Sequence, residues 1–351
     1  MTLPVALMSL ATATPANEVL QTDALEISRH LFAGRFDDFD RLSTVFANTG
    51  IRSRRLSQPL EWYFEPRGWP ERTAAYLQAA ETLFVEAAQA ALAAAGLSGQ
   101  DVDTVVTVSS TGVATPSLEA RVLTEMGFRS DISRVPVFGL GCAGGVSGLS
   151  IAARLAASKP GSVVLFVTIE LCTLAFRLDE LTKTNIVATA LFGDGAAACV
   201  VRAGGEGDYW IEGAGEHIWP STLDIMGWNM DPMGFGVIFA QAIPPFVRRR
   251  MGPAVDGILA GMGLERGDIG RFVCHPGGAK VVTALEGALG LGQGALDVER
   301  EVLADYGNMS APTVLFVLER VLAREAEQDR LFLSSLGPGF TASGLSLRKA
   351  A

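Results

Sequence analysis

Val137–Ser158 reads VFGLGCAGGVSGLSIAARLAAS. The segment VPVF, ending at Phe138, has the short apolar character of a buried strand. A glycine-rich turn follows, and then a run of small and apolar residues with helical spacing. Strand, tight turn and helix in that order predict an α/β chain, with Cys142 where the turn enters the helix. At that place the positive end of the helix dipole and the free backbone N–H groups favour a thiolate. The flanking glycines let a ligand approach the backbone closely. A free cysteine more commonly ends as a small core residue, so the position alone does not settle its role.

Outward from this stretch, buried strands alternate with helices. Thr73–Leu97 predicts a long alanine-rich helix ending at Gly96, and Val102–Thr111 a buried strand. Ser117–Phe128 predicts a helix closed by Gly127. Ser162–Glu170 and Ala196–Ala203 predict two more buried strands, and Asp208–Ile218 a further one. The second half repeats the order. A helix is expected over about Pro244–Met262, a strand over Arg271–His275, and helices in AKVVTALEGALG and APTVLFVLERVLAREAEQ. The end reads as a strand, a Gly-Pro-Gly turn and a strand in RLFLSSLGPGFTASGLSLRK. The halves share no obvious sequence repeat. Gly204–Gly207 is the natural seam, giving expected halves of 1–205, with the cysteine, and 206–351. MTLPVALMSLATATPA lacks a basic leader and is read as a first strand.

Of the 351 residues, 49% are hydrophobic and only 19% charged. The mean hydropathy is +0.30. Such a chain fills a thick core or a subunit interface. No uncharged apolar run reaches the length of a membrane span, so stable membrane insertion is not expected. The formal net charge of −10 argues against a nucleic-acid partner. Two basic clusters, Arg52/Arg54/Arg55 and Arg248–Arg250, remain available for anionic groups. The four cysteines have no CxxC spacing, which suits reduced thiols in the cytoplasm and neither a disulfide frame nor a metal site.

Two further residues suit a thiol nucleophile. His275 ends the strand RFVC and precedes Pro-Gly-Gly, which points it into the crevice at the carboxyl end of a strand. A cysteine nucleophile needs such a base or imidazolium partner, and the chain holds only three histidines. Asn308 sits between a glycine and an apolar helix. Taken alone it is a turn or cap residue, but its carboxamide could also hold a developing oxyanion. Spacing alone does not make the three converge.

Five motifs together resemble the type III polyketide synthases, the chalcone synthase-like family of the thiolase superfamily. They are GLGCAGGVSGL (139–149), LFGDGAAACVV (191–201), CHPGG (274–278), YGNMSAPTVLFVLE (306–319) and GPGF (337–340). HPGG followed by GNMS separates this family from the ketoacyl synthases that start fatty-acid synthesis. The resemblance implies a homodimer of five-layered αβαβα subunits, each built from two thiolase-like halves. It makes Cys142 the acyl carrier, His275 its partner, and His275 with Asn308 the donors to the thioester carbonyl of malonyl-CoA. The substrates are then acyl-CoA and malonyl-CoA, with no metal or redox cofactor. Phe192 matches the gatekeeper aromatic, Gly337, Pro338 and Gly339 the turn at the cavity floor, and Ser310 a position lining the cyclisation pocket.

Several positions depart from the plant pattern. Val237 stands for a second gatekeeper Phe, Ala175 for a Thr, and Thr115 for the Met that reaches across the dimer. These smaller residues suggest a roomier or re-routed cavity. Most basic residues that hold CoA in the plant enzymes are missing. Arg41 is one survivor, Thr44 and Asn48 replace two others, and Arg52, Arg54 or Arg55 are the available substitutes. The segment Pro59–Arg72 is similar to bacterial members that make alkylpyrones or alkylresorcinols from fatty acyl-CoA starters. Competing readings are a single-round ketoacyl synthase III-like enzyme using a carrier protein docked at Arg248–Arg250, a non-catalytic acyl-binding protein, and a papain-type hydrolase. Starter length, number of extensions and mode of ring closure are not written in these motifs.

Overall fold

The computed structural model describes residues 3–32, 34–35, 38–325 and 327–350. Among these, the N-terminal half carries strands β1 (Val5–Ala13), β2 (Asn17–Leu20), β3 (Ser53–Leu56), β4 (Thr104–Val108), β5 (Ser133–Val137), β6 (Val163–Leu171) and β7 (Asp194–Ala203). Its helices are α1 (Gln21–Phe32), α2 (Phe39–Asn48), α3 (Trp69–Ala94), α4 (Leu118–Arg121), α5 (Gly144–Ser158) and α6 (Lys183–Leu191). The C-terminal half carries β8 (Tyr209–Ile218), β9 (Met226–Asp231), β10 (Gly234–Phe239), β11 (Arg271–Cys274), β12 (Arg330–Gly337) and β13 (Thr341–Lys349). Its helices are α7 (Ile243–Gly261), α8 (Ala279–Leu289), α9 (Asp297–Tyr306) and α10 (Thr313–Arg324).

The main strands form one sheet in the order β11-β12-β13-β8-β1-β7-β6-β4-β5. Its two wings meet at a narrow seam, where β1 pairs with β8 only from Val5↔Ile211 to Leu7↔Tyr209. Beyond the seam the wings splay, and α5 and α10 fill the space between them, each touching strands of both. Helix α3 covers the outer face of the β1-β7-β6 wing, and α7 with α8 covers the other. The result is five layers, αβαβα, as expected. Every residue of β6 is buried, because helices pack on both of its faces.

Helix α5 fits between two sheets because its side chains are small. A Cβ on Gly148 would stand 2.4 Å from the Phe166 ring, and one on Gly145 2.3 Å from the Ala311 carbonyl oxygen. The glycines of the opening stretch therefore serve packing as well as turn geometry.

Two readings of local structure are corrected. Helix α3 begins at Trp69, four residues before the expected start, because Pro70 is tolerated in a first turn and the Glu71 carboxylate accepts from the Gly68 N–H at 3.2 Å. The expected helix over 117–128 is regular only through Arg121. Leu118, Val122 and Met126 still bury at helical spacing, but Val122 leaves helical geometry with φ −93° and ψ 7°, and turns follow. No helix among the described residues is long and apolar enough to cross a membrane.

Candidate active site

Cys142 lies in a single tight turn, Gly141–Ala143, that runs into α5. Two contacts set that turn. The Ser110 hydroxyl accepts from the N–H groups of Gly139 (3.3 Å) and Gly141 (3.1 Å). The β12–β13 turn presses on it from below: a Cβ on Gly141 (φ +47°) would lie 2.6 Å from Pro338, and one on Gly337 2.6 Å from the Ala143 Cβ. Gly337, Pro338 and Gly339 are thus the support of the cysteine turn. No larger residue fits at 337 without moving backbone.

His275 follows β11, and its N–H donates to the Ser334 carbonyl at 2.8 Å, in register with the parallel neighbour β12. Its ring is buried, and neither ring nitrogen has a partner among the described residues. Asn308 reaches the site through a short parallel bridge with Phe192: its N–H donates to Leu191 and its carbonyl accepts from Gly193. The Ser310 N–H donates to Asn308 Oδ1 at 2.8 Å, which turns the carboxamide nitrogen toward the His275 turn, 3.4 Å from the Gly277 carbonyl. The Ser310 backbone, at φ +58°, places its hydroxyl on the Cys142 thiol. Contacts therefore link Cys142 through Ser310 and Asn308 to the Gly277 turn that follows His275. The tertiary structure brings together three residues separated by more than 160 positions.

Burial sets the resting electrostatics. It pushes the Cys142 thiol up to about 12, against the hydrogen bond from Ser310, with the nearby Glu170 carboxyl adding to the rise. Burial alone pulls the His275 imidazole down to about 4. Glu170 is fully buried, and burial raises its carboxyl to about 7 although it accepts from the Ser110 N–H at 3.0 Å. Burial thus opposes charge on all three groups, which keeps the thiol and the imidazole neutral at rest.

Two spaces lie near the site, on either side of α6. An apolar cavity of about 80 Å³ lies beneath α1 and includes Phe192, Ala175 and Val237 in its wall, together with Ala24, Ile27 and Leu31. A wider cleft on the other side of α6 leads to Gly277 and Gly278, and is lined by Arg41, Thr44, Asn48, Lys183 and Lys280. Lys183 and Lys280 escaped the sequence reading. The available signal was a lysine in the first turn of each of two helices, where backbone N–H groups also face an anion.

The other basic candidates are placed elsewhere. The buried Arg54 guanidinium donates to the carbonyls of Thr189 and Phe192 and to Gln21 Oε1, so it braces Phe192 from behind and borders the apolar cavity, not the cleft. Arg52 pairs with Asp305, and Arg55 with Glu18 at 3.1 Å. Neither borders the cleft. Thr115 is exposed on the loop after β4 and is not part of the cavity wall.

A family model described as chalcone and stilbene synthases, N-terminal domain, matches residues 66–205, and its C-terminal counterpart matches 211–351. The chain is 40% identical to 1,3,6,8-tetrahydroxynaphthalene synthase of Streptomyces peucetius subsp. caesius, over 96% of this chain and 91% of the relative. It is 32% identical to 3,5-dihydroxyphenylacetyl-CoA synthase of Amycolatopsis orientalis, over 95% of this chain and 90% of the relative. Its fold superposes on the crystal structure of tetrahydroxynaphthalene synthase from Streptomyces coelicolor A3(2) with a TM-score of 0.92 at 28% identity, covering 99% of this chain and all of that one, 100%.

Proposed function

Because this chain belongs to the chalcone and stilbene synthase family, and is a type III polyketide synthase that joins CoA thioesters by Claisen condensation, we propose that it carries a medium- or long-chain fatty acyl starter on Cys142. Malonyl-CoA then extends that starter to a chain that closes as an alkylpyrone or alkylresorcinol. The observation that carries this reading is the apolar cavity beneath α1, whose wall includes Phe192, Ala175 and Val237, the residues we assign to the gate. An alkyl chain gains burial there, whereas a polar poly-ketone chain would lose hydrogen bonds to water.

The steps follow from the residues. His275 takes the thiol proton, and the Cys142 sulfur attacks the acyl-CoA carbonyl. The bond to the CoA sulfur breaks, and CoA leaves with the proton. The start of α5 and the new imidazolium offset the thiolate charge that burial alone opposes. Malonyl-CoA then enters by the cleft, where Arg41, Lys183 and Lys280 take its phosphates. Its thioester oxygen accepts from His275 and from the Asn308 carboxamide nitrogen, which Ser310 holds in that orientation. Carbon dioxide departs, and the electron pair of the broken C–C bond becomes an enolate on that oxygen. Each such donor is commonly worth about 3 kcal/mol. The enolate carbon attacks the acyl carbonyl on Cys142 and expels the thiolate, which completes a two-carbon extension. Decarboxylation supplies the electron pair, so this sequence draws on no metal or redox group.

The working form we assign is a cytoplasmic homodimer. Strand β5 is a sheet edge, Val113 and Phe138 beside it are exposed, and the buried Glu119 carboxyl has no partner among the described residues. Four free thiols suit a reducing compartment.

A second reading rests on the 40% identity to a tetrahydroxynaphthalene synthase: a fused aromatic product and no fatty starter. Product masses from malonyl-CoA with a ladder of acyl-CoA starters, short to long, separate the two. Alkylpyrone or alkylresorcinol masses that track the starter are expected. A naphthalene product from malonyl-CoA alone, unchanged by added acyl-CoA, would overturn the fatty-starter reading.

A further inference from the structure

We propose that Arg177 is a positioning residue that sets the aperture between the thioester cleft and the apolar cavity, a specificity role that rests on the gate assigned above. The wall between the two spaces is made by α6 and the β9–β10 hairpin. Helix α6 turns Asn185, Ala188 and Thr189 to the cavity and Lys183, Val187 and Leu191 to the cleft. On the hairpin, Val237 faces the cavity and Phe239 the cleft.

That hairpin is a two-stranded sheet of its own, joined to neither wing by a strand ladder. Side chains must therefore fix its position. Arg177 is buried and forks between two carboxylates. Its Nε reaches Asp179 at 2.7 Å, and its Nη1 reaches both oxygens of Asp231, at the hairpin turn, at 3.0 and 3.1 Å. The carbonyl of Arg177 accepts from Asn185 Nδ2 at 2.6 Å, which ties the same residue to α6. Asp231 also accepts from the Met233 N–H at 2.7 Å, and its carbonyl from Trp69 Nε1 at 2.7 Å. Arg177 thus joins three pieces: its guanidinium holds the loop after β6 to the turn of the hairpin, and its carbonyl holds helix α6.

The hairpin brings an aromatic to the gate. Val237 leaves one side of the gate small, but the Trp228 ring of β9 lies 6.3 Å from Phe192, and Phe235 bridges Trp228 to Trp69 at 5.8 and 5.0 Å. Moving the hairpin moves Trp228 relative to Phe192 and so changes the width of the passage. Lysine cannot reproduce the planar fork of arginine, so Arg177→Lys should loosen the hairpin while keeping its charge.

The test uses Arg177→Lys and, at the less buried partner, Asp231→Asn. Carbon dioxide released per carbon–carbon bond formed is measured with malonyl-CoA alone and with acyl-CoA starters, beside product-length distribution, KM and kcat. Both variants should release roughly tenfold more carbon dioxide per bond formed, broaden the product lengths and raise KM for the starter, since a shift of about 1 Å at a reacting centre can cost up to about a hundredfold. Acylation of Cys142 by acetyl-CoA, read by intact mass, should stay at the wild-type level. Wild-type ratios and lengths in Asp231→Asn overturn the proposal, and so does a lowered melting temperature with those ratios unchanged, which would leave Arg177 a purely structural role. The ratio with malonyl-CoA alone does not depend on a fatty starter, so failure of the starter reading shows in the acyl-CoA ladder and not here.

Discussion

At the scale of single residues, burial opposes charge throughout the site. His275 has two buried ring nitrogens without a partner among the described residues. Unsatisfied buried polar atoms cost about 1–3 kcal/mol each, and a thioester oxygen or a thiol proton removes that cost. Glu170 offers a clean measurement of the same environment. Its carboxyl is raised from the usual 4.5 to about 7. Between those values the folded chain keeps a proton that the unfolded chain has released, so this contribution to stability is lost as pH rises through the window. Glu170→Gln cannot titrate but keeps an acceptor for the Ser110 N–H. Its stability relative to wild type should therefore improve from pH 5 to pH 8, by at most about 3 kcal/mol. Denaturant unfolding at both pH values checks this, and a difference independent of pH would show that Glu170 is ionised throughout.

At the scale of elements, α1 roofs the apolar cavity. Ala24, Ile27 and Leu31 recur at spacings of three and four, and that one face meets the cavity. Filling it from this side should shorten the starters the enzyme accepts. Ala24→Trp is expected to abolish turnover of long acyl-CoA while sparing acetyl-CoA, at an overpacking cost of about 1–3 kcal/mol. Turnover across the acyl-CoA ladder checks it, and an unchanged preference for length would place the starter elsewhere. Helix α5 was legible as an element because its glycines and alanines mark a close approach. The β9–β10 hairpin and α6 gave no comparable signal: their strands and turns are short, half-exposed and mixed in polarity, so no period stands out.

At the scale of the whole molecule, edge strand β5, exposed Phe138 and the unpartnered Glu119 converge on one face. A charged residue there should disfavour association. Phe138→Glu is expected to weaken the proposed homodimer by at least about tenfold in dissociation constant, corresponding to roughly 1.4 kcal/mol. Sedimentation at several concentrations reads this directly, and a wild type that sediments as a monomer removes the dimer. By itself the sequence determined the α/β alternation and the family, because buried strands, a glycine-rich turn and small helical residues leave local patterns that follow the chain. It also singled out Cys142, His275 and Asn308 as residue types suited to one chemistry. Only the tertiary structure decided that they meet, through Ser310 and the Gly277 turn, and that Arg54 braces Phe192 while Lys183 and Lys280 line the cleft. The physical reason is that a side chain's partner is set by which segments pack together across long separations in sequence. A basic residue near a motif reads the same in sequence whether it faces a phosphate, a carboxylate or a backbone carbonyl.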